Sequence, residues 1–112
     1  MKKVILSLLA TLSIMICDGQ TTITAIAGTN RWDVAASWDL NRVPLDNDRV
    51  VIPVGRTIAI RNPNTVTGTI GVRINLYGTL SFPTNGADKI GLPCNSIIQI
   101  YSAGSIISTG GV

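Results

Sequence analysis

The chain has 112 residues, nine Lys/Arg against six Asp/Glu, 46% apolar residues and only five aromatic ones, Trp32, Trp38, Tyr77, Phe82 and Tyr101. That length holds one domain at most. There is no His and no Glu, which excludes a Ser–His relay, and the arginines stand singly, which excludes the dense basic stripe of a nucleic-acid surface.

Met1-Lys2-Lys3 is a short basic start, and Val4 to Cys17 is a 14-residue apolar run interrupted only by Ser and Thr. It is shorter than the roughly 20 residues that span a bilayer, and its charge–apolar–small order is that of a secretory signal. Cys17 and Gly19 put small residues at −3 and −1, so residues 1–19 are expected to be removed by cleavage after Gly19. Lipidation at Cys17 is the weaker alternative, because Ile16 stands where a small residue is wanted. The product is then secreted or held at the outer cell surface, with no membrane segment after cleavage. It has 93 residues and a net charge of +2.

Residues 20–49 read as a capping strand and loop. Thr21 to Ala27 alternate apolar and polar with a β-branched bias, which predicts a strand. Arg31 to Asp39 carry two tryptophans six residues apart. Asp33 is placed to cap a turn of helix over Val34 to Ser37. Asn41 to Asp48 is rich in turn formers and reads as a loop.

Residues 50–112 read as strand, turn, strand. Val50 to Ile60, Ile74 to Phe82 and Ile98 to Ile107 repeat one pattern: alternating apolar residues, a glycine, a small or polar residue, then apolar residues again. The glycines Gly55, Gly78 and Gly104 fall 23 and 26 residues apart. Such a period predicts stacked β-coils, each covering the apolar face of the next. The fold expected is all-β, the start of a right-handed β-helix or solenoid, with a small β-sandwich as the alternative. Prolines in Asn62-Pro63-Asn64, Pro83 to Gly86 and Leu92 to Asn95 mark turns between strands. Gly110-Gly111-Val112 follow a strand-like segment directly, so the coil region is expected to be truncated there.

At Trp32 a longer pattern begins. Trp32-Asp33-Val34-Ala35-Ala36-Ser37-Trp38, then Val43-Pro44, Asp46-Asn47-Asp48, Val50-Val51-Ile52-Pro53-Val54-Gly55 and the strand to Ile60 resemble a segment near the start of large bacterial secreted and surface β-helix proteins. The segment is similar to the opening of the eight-glycine extracellular domain. The resemblance implies a β-rich fold in which this segment begins a coil stack of an adhesin-like or polysaccharide-associated protein.

The residues agree with a structural role for Trp32, Trp38, Pro44, Asp48, Gly55, Gly78 and Gly104. The two indoles are expected to plug the open end of the stack, and Asp48 to accept loop amides where the first coil begins. Two weaker readings accompany these. Trp32 and Trp38 would form a sugar-stacking platform if exposed. Asp46 and Asp48 would offer oxygen ligands to calcium, although a turn-stabilising cluster is the stronger reading and no cofactor is otherwise implied. Tyr77 and Tyr101 occupy matching places, as a shared structural position predicts. Cys94 has no His to activate it and reads as half of a disulfide with a partner downstream.

The function expected is therefore a non-enzymatic amino-terminal module of an exported adhesin-like or structural protein. Its partners would be the downstream domains of its own polypeptide, and glycans or other surface proteins. The alternatives are a carbohydrate-binding module and the leading fragment of a polysaccharide-degrading β-helix enzyme.

Overall fold

A computed structural model describes residues 20–83 and 87–108. The signal segment expected over residues 1–19 and the turn residues 84–86 lie outside the described residues, as do residues 109–112. Among the described residues nine strands and one 3-10 turn run in the order β1 (Thr22–Thr24), the 3-10 turn (Ala35–Ser37), β2 (Arg49–Ile52), β3 (Thr57–Ala59), β4 (Pro63–Thr65), β5 (Arg73–Leu76), β6 (Thr79–Phe82), β7 (Lys89–Gly91), β8 (Ile97–Ile100) and β9 (Ser105–Ser108).

The strands form three sheets, β1-β2-β5-β8, β3-β6-β9 and β4-β7, and every pairing between them is parallel. Neighbours within a sheet come from successive circuits of the chain, so the molecule is a β-solenoid of about four turns. Parallel pairing throughout rules out the sandwich alternative, which is built from antiparallel sheets.

The register explains why alternation in the sequence becomes a core. Ile23, Val50, Ile74 and Ile98 are successive partners in the first sheet. A second column runs Ile52, Leu76, Ile100, and the second sheet adds Ile58, Leu80, Ile106. Side chains in a strand point to alternate faces, so these columns all point inward while their chain neighbours point out. Burial then removes apolar surface from water, which is the main favourable contribution here. The Ile23 column is buried through its third member and the Ile52 and Ile58 columns through their second, and each opens only at the last coil.

The repeating glycines are not equivalent. The β3–β6–β9 register aligns Gly78 with Gly104, but it aligns Arg56, not Gly55, with Gly78. Gly55 serves the first turn with φ of 80°, in the left-handed region. Gly78 serves a tighter purpose. Only Tyr77 and Gly78 connect β5 to β6, against four residues at the corresponding corner below and above. A Cβ at Gly78 would overlap the carbonyl oxygens of Pro53 and Arg56, and one at Gly104 would overlap that of Leu76.

Two local expectations are corrected. Asp33 does not cap the 3-10 turn. Its N-cap is Val34, with no side-chain hydrogen bond, and Asp33 instead pairs with Arg31 at 2.9 Å. Pro63 and Asn64 are not turn residues but open β4, where Pro63 aligns with Lys89. Proline is tolerated there because it is the first residue of a strand in a two-stranded sheet.

Substituting Gly78→Ala is expected to cost about 1–3 kcal/mol, because the neighbours of the new methyl are backbone atoms that cannot turn aside. Urea unfolding followed by circular dichroism reads the loss.

Candidate functional site

The first coil is sealed by the segment between β1 and β2. Arg31 bridges Ala59 in parallel, and the amide of Trp32 donates to the carbonyl of Ala59, so this segment runs beneath β3. That register sets Trp32 under Ile60. Ala25 and Trp38 form an antiparallel bridge that folds the loop back across the end of the stack. The indoles meet edge to face, with centroids 5.3 Å apart and planes at 81°. Trp38 Nε1 donates to the carbonyl of Trp32 at 3.1 Å, and Ser37 Oγ accepts the amide of Arg31 at 3.1 Å. Trp32 and Trp38 are 3% and 1% exposed. Neither indole offers an open face on which a sugar ring could stack.

The loop that follows is fastened by two carboxylates with different tasks. Asp48 is buried; its Oδ2 accepts from Arg42 Nη1 at 2.7 Å and from the Leu45 amide at 2.8 Å, while Oδ1 accepts from Arg42 Nη2 at 3.1 Å. This two-pronged pair closes the loop around buried Pro44 just where β2 begins. The bond to Asp48 in turn pushes the Arg42 pKa up. Asp46 reaches into the next coil instead. Its Oδ1 accepts the Gly71 amide at 2.8 Å, and its Oδ2 accepts those of Thr69 and Ile70 at 3.0 and 3.1 Å. These backbone amides, Gly71 first, hold the Asp46 carboxyl below its ordinary pKa. With both carboxylates so engaged, Asp46 and Asp48 do not fit a calcium ion, which takes six to eight oxygens. Among the described residues no group of three or more His, Cys, Asp or Glu side chains could hold a metal ion.

The remaining candidates lie apart. Tyr77 and Tyr101 stack with centroids 4.2 Å apart and planes at 12°, one coil above the other. Hydrogen bonding to Tyr101, with burial second, raises the Tyr77 pKa. Cys94 is a free, exposed cysteine in the loop before β8. Asp39 accepts the Thr24 amide at 2.9 Å and Asp33 holds Arg31, so each aspartate beside the tryptophans serves its own contact.

Sequence reasoning passed over Arg42, Ser37 and the amide trio Thr69 to Gly71. Their partners are set by the stacking of coils and by a loop crossing, which leave no local pattern. Comparison with family models, with curated proteins and with solved structures finds no match to this chain.

The site yields two expected outcomes. A depressed folded-state pKa means that Asp46 stabilises the fold above its ordinary value of 3.8 and stops doing so as pH falls through the lower folded value. Thermal melts of the wild-type chain should therefore fall on acidification below about pH 4, whereas Asp46→Asn should melt lower at pH 7 and show a shallower acid limb. Tryptophan emission should be blue-shifted, poorly quenched by acrylamide and unchanged by added oligosaccharides.

Proposed function

We propose that this chain is the amino-terminal, non-enzymatic module of an exported adhesin-like or structural protein, whose coil stack continues beyond it in the same polypeptide. The reading rests chiefly on the contrast between the two ends of the solenoid. At the first coil, inward residues are covered by Trp32 and Trp38. At the last described coil the same columns stand open, with Ile98, Ile100 and Ile106 at 38%, 52% and 45% exposure.

An uncovered edge of parallel strands presents free amides and carbonyls beside apolar side chains, and folded proteins ordinarily blunt such edges with charge, proline or a covering segment. Here Ile97 to Ser108 contain no charged residue and no proline. Further coils in the same register are the covering that supplies both apolar columns and backbone partners. The basic–apolar–small order of residues 1–19 supports export. The Trp, Val-Pro and Asp pattern resembling the eight-glycine domain supports a place at the start of such a stack.

An antibody raised against residues 20–108 tests this on fractionated cells of the source organism. The expected band lies well above 11.8 kDa, in the extracellular or envelope fraction. A species no larger than the chain itself, or one confined to the cytoplasm, overturns the reading.

A further inference from the structure

The aspartates of the described chain are all engaged. Asp33 holds Arg31 and Asp48 holds Arg42, while Asp39, Asp46 and Asp88 accept main-chain amides. Among the described residues Arg49, Arg56, Arg61, Arg73 and Lys89 show no ion pair with a carboxylate, and of these only Arg49 and Arg73 face each other across a pair of strands. They are direct partners in the β2–β5 register, and both are exposed on the outer face of the first sheet. Adjacent strands lie about 4.8 Å apart, and like charges directly opposite destabilise a sheet. The stack alone gives no reason for that cost.

A cleft of about 170 Å³ opens beside Arg73. Its position follows from the register. Continued back along the strands, the pairing sets Gln20, Asn47, Gly71 and Asn95 on successive rungs. Three of these carry amide side chains and Gly71 carries none. Gly71 has φ of 111°, and a Cβ there would stand 2.8 Å from the backbone carbonyl of Asn95. The Asn95 backbone thus packs directly against Gly71, and the cleft is lined along these rungs by Gln20, Asn47, Gly71 and Asn95. Asn95 Nδ2 makes only a long 3.4 Å contact to the Thr69 carbonyl. Asp46 lies close by, bound to the Gly71 amide, with both oxygens already accepting hydrogen bonds.

We propose that Arg49, Arg73 and the cleft over Gly71 bind an acidic polysaccharide. Its carboxylate or sulfate groups lie on the two guanidiniums, and its hydroxyls meet the amides of Gln20, Asn47 and Asn95. Guanidinium forks suit both oxyanions, and amides both donate to and accept from hydroxyls. No aromatic side chain lines the cleft, so it lacks the stacking surface that single-stranded nucleic acid uses. The site is independent of the capping tryptophans and of what lies beyond the last coil.

The test is binding of the purified chain to polygalacturonate, dextran sulfate, neutral dextran and single-stranded DNA by thermophoresis. Binding to at least one of the two acidic polysaccharides is expected, with the preferred polymer identifying carboxylate or sulfate as the bound group. The double variant R49Q/R73Q should weaken it about tenfold or more, as loss of two charge-assisted contacts implies. R56Q/R61Q removes the same charge from elsewhere and should change it less than about twofold on the same scale. N95D keeps both arginines but sets a carboxylate at the cleft and should also weaken binding. Equal losses in the two arginine doubles, no binding to either acidic polymer, or equal or tighter binding of neutral dextran or DNA overturns the proposal.

Discussion

Everything in this molecule depends on the parallel register of successive coils. Each inward side chain must stand over its counterpart one circuit earlier, because a shift of one residue would turn a whole column to the outside. The columns through Val50, Ile52 and Ile58 satisfy this by holding β-branched or leucine side chains at every level. The corners must then absorb all variation in coil length. They do so unequally, with two residues between β5 and β6 and four between β8 and β9. The outer face is released from that demand, so arginines, threonines and amides can occupy it without disturbing the core.

The strands of the first two sheets could be read from the sequence because their inward and outward residues alternate. In Arg73-Ile74-Asn75-Leu76, for example, burial switches with each residue. The approximate coil length was legible in the glycine spacing, although the glycines themselves are not aligned. The third sheet was not legible. Pro63-Asn64-Thr65 and Lys89-Ile90-Gly91 are three residues each, with a single half-buried position in the middle, too short for a period-two signal. Pro63 there looks like a turn signal, and nothing local says otherwise.

The candidate site divides in the same way. The burial of Trp32 and Trp38 follows from their size and scarcity. Asp48 was legible as a loop fastener because it stands just before a strand among turn formers. The partner that completes it, Arg42, was not, because the five intervening residues must first fold around Pro44. Asp46 is further from reach, since its amide partners lie 23 to 25 residues on and are brought to it only by one full circuit of the chain.

The sealed first coil gives the solenoid a direction in time. Its contacts join residues from Ile23 to Ile60, whereas each later coil touches only its neighbours. A chain made from its amino end therefore completes the tryptophan plug before the residues of β8 have been synthesised. Every finished coil is then a ready template for the one that follows, so folding can advance coil by coil as the chain emerges, without a search among distant segments.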